Sequence, residues 1–133
     1  MKRNIPLEKR PFPWLKKRAW NLFSIFIRIR DGGICYTCGE KDSIKRMDAG
    51  HWRHGKTKVG WLDERNVHCQ CSKCNRYLSG NLVAYTLNMA REYGQKEVEK
   101  MWKEFSRDKT WKREELIEKI KYYEDQIQKL NSL

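Results

Sequence analysis

The chain has 133 residues, 39% hydrophobic and 35% charged, with a net charge of +12 and a mean hydropathy of −0.92. That length holds one domain with helical extensions, and the apolar share predicts a small core that needs a metal or a disulfide to support it. No apolar run is long enough to span a membrane and no signal peptide is visible. The expected compartment is therefore a reducing cytoplasm, where cysteine pairs hold zinc rather than oxidise.

All three prolines, Pro6, Pro11 and Pro13, fall near the N-terminus, and residues 1–12 read as a flexible basic arm. Residues 1–30 carry nine Lys/Arg against the single acid Glu8. A local excess of this kind favours nucleic acid, and the missing amphipathic anchor or lipidation signal argues against a membrane surface. A helix is predicted over 13–31, with Pro13 in its first turn. Its broad apolar face runs through Trp14, Leu15, Trp20, Leu22, Phe23, Phe26, Ile27 and Ile29, and Lys16, Lys17, Arg18, Arg28 and Arg30 lie outside it. Asp31-Gly32-Gly33 ends it.

Residues 32–94 read as a turn-rich, cysteine-anchored core. Strands are predicted around Lys45–Trp52 and Asn66–Gln70, with a loop through Gly55 and Gly60 between them. A helix is expected near the second cysteine pair and another from Leu82 to Tyr93-Gly94. Residues 95–133 read as a helical tail. A short helix carries Val98, Met101, Trp102 and Phe105, and a longer one, capped by Thr110, runs from Trp111 to about Leu130. In the latter Leu116, Ile120, Tyr123, Ile127 and Leu130 form a heptad-like seam. Packing within the same chain is the favoured use of that seam, and a homodimer is the alternative.

The most informative pattern is two CxxC pairs, Cys35–Cys38 and Cys71–Cys74, with Asp48, His51, Asn66 and His68 between them and Asn75 directly after. Four thiolates at this spacing suit one tetrahedral structural zinc. The interleaved residues suit phosphodiester hydrolysis, which needs a base for water and a cation to neutralise the developing charge. His51 is the candidate base, because an imidazole is largely unprotonated near neutral pH. Asp48 and Asn75 offer oxygen ligands for Mg²⁺ or Mn²⁺. Asn66 has the side chain to fix the loop backbone near His51.

These residues resemble the HNH (His-Me finger, ββα-metal) nuclease pattern. Asp48-Ala49-Gly50-His51-Trp52-Arg53, the run from Asn66 to Arg76 and Leu78-Ser79-Gly80-Asn81-Leu82 are similar to the phage NinG/Rap recombination endonuclease family. The likeness spans roughly residues 14–130. It implies an α+β fold in which a zinc-stapled ββα-metal core is flanked by an N-terminal helix and C-terminal helices. The implied activity is metal-dependent, structure-selective cleavage of branched DNA such as Holliday junctions and D-loops, by a phage-encoded protein in the bacterial cytoplasm. His51 would be the base, Asn66 would order the loop, and Asn75 would bind the catalytic metal.

One departure matters. Many HNH enzymes place an acidic ligand immediately before the base, and here Gly50 holds that position. Residues i and i+3 on a regular strand point to opposite faces, so Asp48 shares a metal with His51 only across a kink or bulge at Gly50. His68 is the substitute ligand. Lys16, Lys17, Arg18, Arg53, Lys56, Lys58 and Arg76 are the expected DNA-backbone contacts. Cys69 reads as a small buried hydrophobe and His54 as a loop residue; Trp20, Trp52, Trp61, Trp102 and Trp111 read as core, with Trp52, next to His51, the one to watch for base stacking. The rival readings are a non-catalytic zinc module that binds DNA or a partner, and an HNH nuclease acting on ordinary duplex.

Overall fold

The computed structural model describes residues 4–131. Its four α-helices are α1 (Phe12–Arg30), α2 (Leu82–Tyr93), α3 (Gln95–Phe105) and α4 (Arg113–Asn131). Two short strands, β1 (Asp48–His51) and β2 (Val67–Gln70), form one antiparallel sheet. The chain is thus a mixed α+β protein with its whole sheet between the cysteine pairs.

The chain divides into two compact units, residues 1–26 with 111–133, and residues 27–110. In the first unit Leu15, Ala19, Leu22, Phe23 and Phe26 of α1 are buried, as are Leu116, Ile117, Ile120 and Tyr123 of α4. Tyr123 meets Phe23 edge-on at 5.2 Å and Phe26 at 5.1 Å. The first three positions of the heptad-like seam are therefore used within the chain. Glu115 reaches back to the Lys112 amide at 2.9 Å, as in a capping box, so α4 starts after Lys112 rather than after Thr110.

The expected flexible arm needs correction for residues 4–11; residues 1–3 lie outside the described residues. Leu7–Lys9 forms a 3₁₀ turn. The Arg10 guanidinium lies 4.4 Å over the Trp14 ring, and the Arg10 carbonyl accepts from Arg113 at 2.6 Å. Aromatic stacking and these bonds order a segment whose composition alone reads as unstructured.

In the second unit the core is Trp52, Tyr85, Met89, Val98, Met101 and Phe105. Helix α3 belongs to this unit, so residues 95–105 are not part of a separate tail. Gly94, at φ +87°, lets α2 stop and α3 restart with Val98, Met101 and Phe105 facing inward. Trp52 takes the core reading and not the base-stacking one: it is buried, with its indole N–H on Thr86 at 2.9 Å. Trp102 is the partly exposed one, edge-on to Trp52.

β1 is shorter than the predicted strand. Residues 44–46 form a 3₁₀ turn, and pairing stops where Asp48 meets Gln70, because β2 then enters the Cys71 turn. The register is one-to-one, with Asp48 opposite Gln70, Ala49 opposite Cys69, Gly50 opposite His68 and His51 opposite Val67. No residue is left unpaired across β1, so Gly50 makes no bulge.

An Arg30–Asp31 pair fixes the sheet from below. Arg30 donates to the carbonyls of Glu64 (2.8 Å) and Val67 (2.9 Å) and holds the Asp31 carboxylate through Nε and Nη2. Asp31 in turn accepts from the Cys69 amide at 2.8 Å. Sequence reading treated these two residues as a helix edge and a helix stop.

Candidate metal centre and adjoining polar cluster

The first cysteine turn is set by backbone bonds from the Cys35 amide to Glu40 and from the Gly39 amide to Cys35, each 2.8 Å. Gly39 sits at φ +81°, where a side chain would be strained. The second turn runs into a single π-helical turn, Lys73–Tyr77. Together they bring the sulfurs of Cys35, Cys38, Cys71 and Cys74 within 4.8 Å of one another. Cys38 and Cys71 sulfurs are 3.7 Å apart, far beyond a disulfide. Two thiolates on one tetrahedral zinc are about 3.8 Å apart, from Zn–S lengths of about 2.3 Å. The four cysteines can therefore hold a zinc ion.

Thr37 and Asn81 approach the cluster, with Thr37 Oγ1 3.3 Å from the Cys35 sulfur and Asn81 Nδ2 3.6 Å from that of Cys74. Donors of this kind orient metal-bound sulfurs. Neither stood out in the sequence, where Asn81 is one of several loop residues. The Cys38 thiol is pushed up to about 12, chiefly by desolvation and also by its sulfur neighbours. Zinc uptake then releases protons, and it is favoured by rising pH. Cys69 is fully buried beside this cluster, its thiol held protonated by burial.

The π-helical turn carries Asn75 to the start of β1. Asn75 Nδ2 donates to Asp48 Oδ2 at 3.1 Å. The Arg76 guanidinium grips the same carboxylate at 3.0 and 3.1 Å. The structure thus joins Asp48, Asn75 and Arg76, and it sets Arg76 on a carboxylate rather than leaving it open to DNA.

His51 ends β1, three residues and roughly 10 Å of strand from Asp48. Its Nε2 lies 2.9 Å from the Trp61 carbonyl, which can only accept. Nε2 therefore carries the proton, and Nδ1 is the basic nitrogen of the neutral ring. Burial pulls the His51 pKa down to about 4 against the opposing effect of the Trp61 bond, and His54 lowers it further. The ring is neutral throughout the physiological range.

Asn66 is fully buried and clamps the chain that follows His51. Its Oδ1 accepts from the Arg53 amide at 2.9 Å, and its Nδ2 donates to the carbonyls of Arg53 (2.9 Å) and Gly60 (2.8 Å). Both ends of loop 53–60 hang on one side chain.

His68, the expected substitute ligand, is packed into the core. Its ring stacks on Tyr36 at 3.8 Å, and its Nδ1 is 2.9 Å from the Tyr85 hydroxyl. That hydroxyl donates to the Gly50 carbonyl at 2.8 Å, so it accepts from His68. Gln70, also fully buried, donates from Nε2 to Thr37 Oγ1 (3.1 Å) and to the Gly80 carbonyl (2.9 Å). In the sequence Gln70 carries no signal, because a glutamine between two cysteines belongs to no motif.

Among the expected DNA contacts, Lys17 and Lys56 are exposed and Lys16 is half-buried. Arg18 faces Glu124 at 3.5 Å, and Lys58 faces Asp108 at 2.6 Å. Arg53 donates to Ser106 Oγ and to the His54 carbonyl, each at 2.8 Å. Surface pairs of this sort contribute little and exchange readily for phosphate. No helix among the described residues is long and apolar enough to cross a membrane.

The family model described as bacteriophage lambda NinG protein matches residues 5–132. The protein ninG of Escherichia phage 933W is 38% identical over 101 residues, covering 74% of this chain and 49% of that protein. The protein ninG of Escherichia phage lambda is 37% identical over 101 residues (74% and 48%), and that of Salmonella phage P22 is 36% identical over 115 residues (85% and 55%). The chain spans about half the length of these curated relatives. No solved structure matches the fold. With nearly its whole length matched and the cysteine cluster, Asp48, His51 and Asn75 within the match, the chain belongs to the NinG family of phage proteins.

Proposed function

We propose that this chain is an HNH-type endodeoxyribonuclease that hydrolyses phosphodiesters in branched recombination intermediates. The observation that carries the reading is the His51 ring. Its Nε2 faces the Trp61 carbonyl, which makes Nδ1 the basic nitrogen of the ring, at the end of the strand that also carries Asp48. The order of two antiparallel strands and then a helical turn carrying Asn75 supports a ββα reading. The four-cysteine cluster would hold zinc as a staple and take no part in the chemistry.

In this mechanism Nδ1 of His51 removes a proton from the attacking water. A pKa near 4 makes the free ring a weak base, and an incoming phosphate anion raises it toward neutrality. Asn66 holds the Arg53 backbone, and with it the chain that follows His51. Asp48 and Asn75 would hold the divalent cation, Mg²⁺ or Mn²⁺; their hard oxygen donors fit it. When bound, that cation supplies charge neutralisation at the phosphorus and at the leaving 3′ oxygen. Arg76 would pass from Asp48 to a DNA phosphate as the cation takes its place. Lys17, Arg53 and Lys56 would add backbone contacts, so binding would weaken steeply with salt. Selection would rest on junction shape, since no helix among the described residues resembles a base-reading one.

The test is cleavage of a labelled four-way junction beside linear duplex of the same sequence, in Mg²⁺ or Mn²⁺, by wild type and His51→Ala. Junction cutting that needs the metal and falls at least 100-fold in the variant supports the assignment. Equal cutting of both DNAs would leave a nuclease without junction selectivity. No cutting by folded, zinc-loaded wild type would withdraw the enzyme and leave a DNA- or partner-binding zinc module.

A further inference from the structure

Gly50 is flanked by two amide oxygens. A Cβ built on it would fall 1.8 Å from Gln70 Oε1 and 3.0 Å from Asn75 Oδ1. The orientation of both amides is fixed by their other ends. Gln70 Nε2 faces the Gly80 carbonyl, which can only accept, so Oε1 must be the atom over Gly50. Asn75 Nδ2 faces the Asp48 carboxylate, so Oδ1 is turned the same way. Gln70 Oε1 is buried and has no hydrogen-bond donor among the described residues. A buried acceptor left bare is costly, and a second amide oxygen aimed at the same point gives the spot the donor set of a cation site.

We propose that Gln70 is an oxygen ligand to the divalent cation, acting through Oε1 together with Asn75 Oδ1 and the Asp48 carboxylate. This rests on the reading of Asp48 and Asn75 as the cation site and adds the ligand that neither strand position 50 nor His68 supplies. One carboxylate and two amide oxygens are a hard, weakly charged donor set that leaves positions for water and phosphate. It also centres the site over Gly50, on the face of the ladder shared by Asp48 and Gln70. Glycine is required at position 50 because any side chain would displace Oε1, not because the backbone bends there.

The test uses the zinc-loaded full chain. Mn²⁺ binding is followed by the electron paramagnetic resonance of the free ion, in wild type, Asp48→Ala, Gln70→Met and Gly50→Ala. One Mn²⁺ site is expected beyond the zinc, weakened at least about tenfold by Gln70→Met and by Gly50→Ala. Zinc content and circular dichroism report folding. If Gln70→Met does not fold, the wild-type protein decides: the Gln70 side-chain carbonyl carbon should shift on Mg²⁺ titration, saturating with the same Kd as bulk binding. A Mn²⁺ site lost in Asp48→Ala but unchanged in Gln70→Met, or an unmoved Gln70 resonance at Mg²⁺ saturation, would overturn the role of Gln70 and leave the Asp48–Asn75 site standing. No second-metal site in wild type would overturn both.

Discussion

Asn66→Asp tests how much of the His51 environment depends on one side chain. The substitution keeps the shape and the Oδ1 that accepts from the Arg53 amide. It removes both donors, so the carbonyls of Arg53 and Gly60 then face a carboxylate oxygen at what were 2.9 and 2.8 Å contacts. Each orphaned buried acceptor costs about 1–3 kcal/mol, which puts the loss near 2–6 kcal/mol, before any charge is buried. Burial at 0% exposure disfavours the ionised acid, so the folded variant takes up a proton that the unfolded chain does not hold. The sign follows from linkage. The folded-state pKa of the new acid lies above its unfolded value, so the variant loses stability as pH rises between the two. Once protonated, the acid regains one donor and part of the loss.

The assay is urea unfolding at fixed free zinc, at pH 5.5 and pH 8, for wild type, Asn66→Asp and Asn66→Ala. Asn66→Asp should fall by about 3–5 kcal/mol at pH 8 and by less at pH 5.5 relative to wild type at the same pH. Asn66→Ala should show a loss with little pH dependence of its own. A variant within about 0.5 kcal/mol of wild type at pH 8 would refute the clamp, because surface-like behaviour is incompatible with three buried hydrogen bonds. A loss of equal size at both pH values would refute the burial argument alone.

Two further outcomes follow from the same geometry. His51 has a folded pKa near 4 against 6.5 for the free group, so its contribution to stability is complete above about pH 6.5 and is lost as pH falls toward 4. Its imidazole Hε1 resonance in the DNA-free protein should stay flat from pH 8 to pH 5.5, and a midpoint near 6.5 would contradict the buried neutral ring. Removing zinc with a chelator, or replacing Cys71 by Ser, should unfold residues 27–110, because structural zinc supplies on the order of 10 kcal/mol of apparent binding energy. Unchanged circular dichroism in the zinc-free protein would defeat the staple.

What the sequence made legible follows from local chemistry. The helices around Phe23, Tyr85 and Ile120 announce themselves by periodic apolar residues. The cysteine cluster announces itself by spacing, because the metal reads four side chains of one type. The ordering of residues 4–11 was not visible, since it depends on Arg10 meeting Trp14 and Arg113 far along the chain. Which elements bury Trp52 was not legible either, since α2 and α3, which close over it, start 30 and 43 residues downstream. The Arg30–Asp31 pair was read as punctuation because its partners, Glu64, Val67 and Cys69, lie 34 to 38 residues away.

Gly50 shows what a regular ladder does with the position before the base. Alternation along a strand puts Asp48 and His51 on opposite faces, so a site shared by their side chains requires a bulge at the glycine between them. The ladder is regular, with every residue of β1 paired, and the bulge is absent, so Asp48 and Gly50 keep one face and His51 the other. The cation ligands then have to gather on the Asp48 face. Across an antiparallel pair, a side chain on the neighbouring strand reaches the same surface. Gln70 does so diagonally, from opposite Asp48, and places its amide oxygen where a residue-50 side chain would begin. The glycine thus serves as space rather than as a hinge. A larger residue at position 50 would restore a side chain to the strand only by evicting the one that has replaced it.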